Sequence, residues 1–432
     1  MKKLPIGIQT FEKIRKDNYY YVDKTYYVYK LANEGGGYYF LARPRRFGKS
    51  LFVDTLKEAF SGNKELFEGL FLESHWDWSK KYPVILIDFS SGVKNVEQLL
   101  HLIRSILLFH TEKYDITISN NDVNIQFLQL IRLLCEKHKT RIIVLIDEYD
   151  KPILDNIDEK QTANEIRELL RGFYSVLKGS DSYIKFVFIT GVTKFNQVSI
   201  FSGLNQLKDI TLSPNYSAIC GYTEEEMIKV FSDRLEGLNI EEVRKWYNGY
   251  SWLGECVYNP FDVLLYLDDR LLQPYWFATG TPTFLMKLIK EKKYYVPQLD
   301  QFTMTDSILN SFDINNIDLE NLLFKTGYLT IKSIENIQNR YFYHMSYPNY
   351  EVKISFNDNV LGYLTNTEER SVRYLNIYKA LRDNDLKRME GELKLFFSSI
   401  PYQWYLNNRL NENEGYYASI MYSLMMATGF YV

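Results

Sequence analysis

Three cysteines, Cys135, Cys220 and Cys256, are spread over 432 residues. They are too few and too far apart for a disulfide framework, and their odd number fits a reducing compartment. Histidine is scarce too: His75, His101, His110, His138 and His344 stand singly, without the spacing of a metal centre. No run approaches the ~20 apolar residues of a membrane-spanning helix. Leu4-Pro5-Ile6-Gly7-Ile8 is too short and broken for a signal-peptide core. Neither sign of charge dominates: 51 Lys and Arg face 54 Asp and Glu, a net −3, which argues against a uniformly basic nucleic-acid coat but leaves local patches open. Repeats and low-complexity linkers are absent as well. The expectation is a cytoplasmic chain with no membrane partner.

Length and aromatics are what the chain has in abundance. At roughly 150 residues per domain, about three domains are expected, and a chain this long buries about three quarters of its unfolded surface without staples. Aromatic residues make up 16%, with 36 Tyr and 27 Phe. Tyr, Phe, Ile, Asn and Lys share AT-rich codons, so biased coding accounts for them as readily as a base-stacking surface does.

The first half alternates buried strands and helices. Apolar runs at 38–42, 84–89, 142–147 and 184–190 read as strands, with a weaker fifth at 210–212. The second and third runs are continuous, as in parallel strands covered on both faces. Between them, 51–60 and 163–177 read as helices; Ile166, Leu169, Leu170, Phe173 and Leu177 share one face. This alternation implies a doubly wound α/β domain. After about residue 221 helical patterns dominate, opening at Thr223 with three glutamates behind it. Possible strands at 327–332 and 351–356 flank an Asn-rich stretch, and from about Tyr374 the pattern is helical again.

Arg43-Pro44-Arg45-Arg46-Phe47-Gly48-Lys49-Ser50 follows an apolar strand and opens a helix, as a Walker A loop requires. Gly48 lets backbone N–H groups approach phosphates, and the helix N-terminus offers free donors and partial positive charge through Lys49, Ser50 and Leu51. Lys49 can reach the terminal phosphates and the Ser50 hydroxyl can hold Mg²⁺. The general pattern places Gly at 43, where this chain has Arg43. Read alone, the loop is also consistent with a basic turn before a helix. About a hundred residues downstream, Ile142–Ile146 followed by Asp147-Glu148 has the form of a Walker B strand. Asp147 would hold the hydrated Mg²⁺ and Glu148 would orient the attacking water. Thr190 or Thr193, at the end of the fourth strand, could sense a γ-phosphate or simply close the strand. Arg45, Arg46 and Arg171 are candidates for phosphate contact or for surface ion pairs.

These residues carry a resemblance. Leu4–Gln9, Phe11–Arg15, Tyr21-Val22-Asp23-Lys24-Thr25 and the loop Arg43–Ser50 resemble the bacterial AAA-ATPase-like family. Further matches are Asp147–Pro152, Thr190–Phe195, Ser199–Asn205, Trp246–Tyr250, Tyr258–Pro260, Tyr275-Trp276, Thr279-Gly280, Thr326–Thr330 and Tyr347–Val352. Arg43 belongs to that family's own form of the loop. The resemblance implies an α/β additional-strand P-loop NTPase with a parallel sheet, followed by a mainly helical region and a truncated nuclease-like segment. The expected divisions are 1–221, 222–373 and 374–432. The family typically adds a C-terminal PD-(D/E)XK nuclease-like domain. Asn411–Ile420 resembles its first helix, with Glu414 at an acidic position that can assist metal binding. The rest of such a metal core is not found, and Glu351-Val352-Lys353 and Glu392-Leu393-Lys394 are read as incidental. No nuclease activity is expected of this chain. Tyr416, Ile420, Leu424 and Met425 form an apolar face that must pack elsewhere, bind a partner or promote association.

The implied function is a slow ATP-hydrolysing switch using ATP and Mg²⁺. Its catalytic candidates are Lys49, Glu148 and Thr193, its nucleotide contacts Arg45–Leu51 and its metal ligands Ser50 and Asp147. The alternatives are a non-catalytic protein-binding module, whose partner could be a second copy, and an ATPase acting on nucleic acid. Asp23-Lys24-Thr25 could line the base side of the site or cap a helix, and Tyr247–Tyr250 reads as a turn.

Overall fold

The computed structural model describes residues 1–35, 37–194, 200–201, 204–278, 283–292, 294–309, 317–365, 370–398 and 410–429. The family-like stretch 195–199 and residues 202, 203, 279 and 280 lie outside them.

Four of the five expected first-half strands form where their apolar runs lie: β1 (Tyr38–Ala42), β2 (Val84–Asp88), β3 (Ile142–Asp147) and β4 (Ile184–Gly191). With β5 (Lys208–Asp209) they build one parallel sheet in the order β2-β3-β4-β1-β5. The order places β4 between β1 and β3, the insertion that defines an additional-strand sheet. Every residue of β1 and β3 is buried, so both faces are covered. The helix Lys49–Ser61 packs on β2, β3 and β4, and the helices Val96–Lys113 and Val123–His138 pack on β2 and β3. The fifth strand lies earlier than the run at 210–212. Ile210 N still bonds to Phe40 O at 2.9 Å, but Thr211 turns its hydroxyl inward to accept from Ala42 N at 3.0 Å. That side-chain bond stands in for the next rung of the ladder.

The predicted helix start at Thr223 is a full capping box with Glu226. The helices Glu224–Val230, Ile240–Tyr247 and Pro260–Asp269 gather around Met227, Phe231, Val243, Tyr247, Val263 and Leu267. Tyr20 and Val22, from ahead of the first strand, complete this small core.

Beyond it, β6 (Phe302–Thr305), β7 (Thr330–Ile337) and β8 (Arg340–Ser346) form an antiparallel sheet in the order β6-β8-β7. β7 and β8 meet at Gln338-Asn339, both at positive φ, a two-residue hairpin turn. The expected strand at 351–356 is instead part of the helix Tyr350–Thr365. Its alternating sequence imitates a strand, but Val352, Phe356 and Val360 are buried at a spacing of four, and the Asn349 side chain caps Val352 N at 3.0 Å. The helix Leu410–Ala427 packs against this helix through Ile420 and Leu424, while Ser423 donates to Asn357 at 3.0 Å. That apolar face is therefore covered within the chain, with Met425 half-buried; the side chains of Glu414 and Tyr416 lie outside the described ones.

Asp262 and Glu351 join these layers as a buried acid pair, each 0% exposed. Asp262 accepts from Trp276 N at 2.7 Å and Glu351 from Phe277 N at 3.2 Å. Burial and the partner's charge hold Asp262 well above the usual carboxylate range; burial pushes Glu351 up to about 7. Asp262 thus keeps its proton and donates it to Glu351. Among the described residues no lysine or arginine forms an ion pair with either, and the titratable groups beside them are the hydroxyls of Tyr247, Tyr250 and Tyr275. The folded state binds this proton more tightly than the unfolded chain. Its stabilisation is complete below pH ~4 and is lost as pH rises through about 7. Urea denaturation at pH 5, 6.5 and 8 should show stability falling with pH, and Glu351→Gln should flatten that slope. An unchanged slope in the variant would exclude the pair as its source.

Candidate functional site

The carboxyl ends of the parallel strands converge on one cavity of about 380 Å³. This is the edge of an α/β sheet where ligands bind, and the size suits a small-molecule ligand. One end is polar and lined by Arg45–Ser50, Glu148 and Lys151; the other is largely apolar, with Ile8, Ile14, Val22, Phe261 and Leu264.

The polar end grows from the loop between β1 and the helix Lys49–Ser61. Arg46 and Gly48 adopt left-handed φ angles of 69° and 88°. Gly48 is the helix cap, and nothing lies within 4 Å of where its Cβ would be. The first intrahelical bond runs from Phe52 N to Gly48 O at 3.0 Å. The N–H groups of Lys49, Ser50 and Leu51 therefore have no acceptor within their own helix and lie at the cavity wall. Lys49 is buried, and its ammonium donates to Pro44 O at 2.9 Å. Burial lowers its pKa while Asp147 and Glu148 oppose that shift, an arrangement that accepts anions without a permanent ion pair.

Asp147 ends β3, almost fully buried; burial pushes its carboxyl up to about 6, and a hydrogen bond with Ser50 draws it back. Its neighbour in register is Asp88, at the end of β2, whose charge adds to the rise. Glu148 sits at φ 51°, unusual for a non-glycine residue, with its N–H donating to Asp147 Oδ1 at 3.0 Å. The sequence-predicted Lys49, Ser50, Asp147 and Glu148 are thus gathered at one point.

The two threonines differ. Thr193 is fully buried, and its hydroxyl and amide both donate to Asp150 Oδ2 at 2.6 Å. Thr190 is also fully buried, but its hydroxyl has no hydrogen-bond partner among the described residues. It stands on β4, beside Leu41 of β1 and one step past the last β3 pair, Ile146–Ile189. Arg45 and Arg46 are exposed at the cavity, with the Arg46 guanidinium 4.9 Å from the Phe261 ring centre. Arg171 is remote from the cavity, in an exposed ion pair with Glu168 at 3.2 Å.

The apolar end was beyond reach of residue-by-residue reading. It combines Pro5–Gln9, Tyr20–Val22, Ile219–Tyr222 and Pro260–Leu264 from four separate parts of the chain. Of these, only Pro5–Gln9, Tyr21-Val22 and Pro260 fell within family-like motifs; Ile219–Tyr222 carried no earlier signal. Asp23-Lys24-Thr25 contributes to both a helix start and the cavity wall. Asp23, one residue ahead of the cap position Lys24, accepts from Thr25 N at the start of the helix Thr25–Asn33 at 2.8 Å, and also from Phe71 N at 2.8 Å. Lys24 lines the cavity and donates to Ala218 O at 2.8 Å and to Glu226 at 2.6 Å.

The loop is also bonded to the second half of the chain. Phe47 is packed edge-on against Tyr250 and Trp252 at 4.7 and 5.3 Å, Trp276 Nε1 donates to Arg45 O at 3.2 Å, and Gly221 N to Phe47 O at 3.1 Å. The turn read at 247–250 therefore presses an aromatic ring onto the phosphate-loop segment. Gly249, at φ 122°, is required there because a Cβ would run into Pro348 O.

Residues 5–201 match the model of the AAA-ATPase-like family, described as predicted AAA-ATPases. Over 431 residues the chain is 47% identical to a protein of Azotobacter chroococcum mcd 1 described as an uncharacterized protein in the vnfD 5′ region. That similarity covers 99% of this chain and 83% of the relative. With the parallel sheet and the Gly-Lys-Ser helix start in place, the chain belongs to the AAA-ATPase-like family.

Proposed function

We propose that this chain binds ATP with Mg²⁺, hydrolyses it slowly, and uses the change of state as a switch. The observation that carries this reading is the meeting of Lys49, Ser50 and Glu148 at the polar end of a cavity whose other end is apolar, with Asp147 hydrogen-bonded to Ser50 just behind its wall. A triphosphate and a purine make the same division of polarity.

In this reading the N–H groups of Gly48–Leu51 and the Lys49 ammonium hold the phosphates, with Arg45, Arg46 and Phe47 completing the loop around them. Ser50 and Asp147 fit Mg²⁺ by chemistry: both are hard oxygen donors, and burial leaves the Asp147 carboxylate in need of a cation. When bound, Mg²⁺ supplies charge neutralisation at the phosphate oxygens. Glu148 orients the attacking water. Thr190 offers its hydroxyl to the terminal phosphate, and Thr193 acts through Asp150 to fix the segment after β4.

The loop's contacts with Tyr250, Trp252 and Trp276 give the switch a direct route into the second half of the chain. A nucleic-acid surface has less behind it. Among the described residues the exposed aromatics, Tyr26, Phe109, Tyr295, Tyr341 and Tyr378, lie on separate segments of the chain.

Lys49→Ala removes a charge-assisted phosphate contact worth about 1.5–3 kcal/mol, so ATP affinity should fall roughly ten- to a hundredfold. Titration with a fluorescent ATP analogue, alongside a melting curve to check folding, measures this; unchanged affinity would sink the assignment. Glu148→Gln should retain ATP and lose phosphate release. Undiminished turnover in that variant removes Glu148 from the mechanism, and absence of turnover in the parent chain with ATP binding intact favours the non-catalytic module.

A further inference from the structure

The motif Asp23-Lys24-Thr25 takes no part in the phosphate chemistry, yet it is built into the cavity. Its outer residues fix its position. Asp23 accepts from Thr25 N and from Phe71 N, both at 2.8 Å, and the Thr25 hydroxyl accepts from Leu72 N at 3.1 Å. The start of the helix Thr25–Asn33 is thereby tied to the helix Phe71–His75. Lys24, between them, is 8% exposed and lines the large cavity together with Tyr20–Val22. Its ammonium donates to Ala218 O at 2.8 Å and to the two Glu226 carboxylate oxygens at 2.8 and 2.6 Å. Glu226 Oε2 in turn accepts from Thr223 N at 2.8 Å.

Ala218 and Thr223 flank Ile219–Tyr222, a stretch of the cavity wall. Lys24 therefore holds this stretch at both ends, directly at Ala218 O and through Glu226 at Thr223 N. The same carboxylate closes the capping box of the helix Glu224–Val230, so the wall and the first helix of the second half share one anchor. An ammonium has three protons to donate, and three protein oxygens already take them, so Lys24 has none left for a phosphate. The phosphate loop has supports of its own in Arg43, in the bond from Lys49 to Pro44 O and in the rings packed on Phe47. A wall ordered before the ligand arrives spares binding the entropy cost of ordering it. Given the nucleotide reading of this cavity, on which this step rests, we propose that Lys24 is a positioning residue for the nucleoside end of the site. It fixes the two segments Tyr20–Val22 and Ile219–Tyr222 against each other, and so sets the affinity for base and ribose without touching the phosphates.

Calorimetric titration of the full chain with Mg²⁺–ATP and with Mg²⁺–tripolyphosphate separates the two ends of the site. Lys24→Met should weaken ATP binding roughly tenfold or more and leave tripolyphosphate within about twofold. That variant leaves the Glu226 carboxylate without its cation. Lys24→Met combined with Glu226→Gln leaves no bare charge and keeps a side chain able to close the capping box; it should show the same loss of ATP preference. An equal loss for both ligands, or an unchanged preference for ATP in the folded variants, overturns the assignment. In the unaltered chain, ATP but not tripolyphosphate should slow amide exchange across Ile219–Thr223; equal protection by both overturns it without any variant. A parent chain that binds neither ligand overturns the nucleotide reading itself, and this assignment with it.

Discussion

A guanidinium with no carboxylate partner among the described residues anchors this structure. Taking an arginine out of water is expensive, and Arg43 offsets that cost with three backbone carbonyls and the face of Trp252. The carbonyls belong to the end of β1, the segment leaving β5 and the turn at Tyr216. The end of β1 and the sequence-distant segment from Thr211 to Tyr216 are thereby pinned together around the start of this loop. A glycine at this position could shape a loop but could tie nothing together, and it would leave the carbonyls without their donor. The departure from the general Walker A pattern is thus a structural feature with a definite use.

From that anchor the loop becomes a joint rather than a terminal appendage of the sheet. Its outer side is packed with Tyr250, Trp252 and Trp276, and Gly327 brings its backbone so close to Pro44 that a Cβ would collide with the ring. Trp276 also connects through its N–H to Asp262, whose neighbour Phe261 lines the apolar end of the large cavity. Close-packed interiors transmit displacement because there is no free volume to absorb it. A continuous run of packed residues thus links the wall of the large cavity to the buried acid pair and the helix Tyr350–Thr365.

The polar half of the site was legible in the sequence because it is local. Gly48-Lys49-Ser50 needs only a strand before it and a helix after it, and Asp147-Glu148 needs only a buried strand that ends at the same edge. The four principal strands were legible for a similar reason: a strand covered on both faces has to be continuously apolar, and little else in the chain is. The alternation at 351–356 misled because a pattern of period two is a weak guide when one face of a helix is buried against several partners. Val352 and Phe356 fit either geometry, and the cap at Asn349 with the neighbouring helix decided between them.

What the sequence determined by itself was the family, the parallel sheet and the placing of Gly-Lys-Ser and Asp-Glu at strand ends, since each follows from short-range order along the chain. Only the tertiary structure decided the apolar end of the cavity, the Asp262–Glu351 pair and the partners of Arg43. Those depend on residues far apart in sequence meeting in a dry interior, where a charge or a proton responds to its surroundings, and no spacing along the chain encodes which surroundings those are.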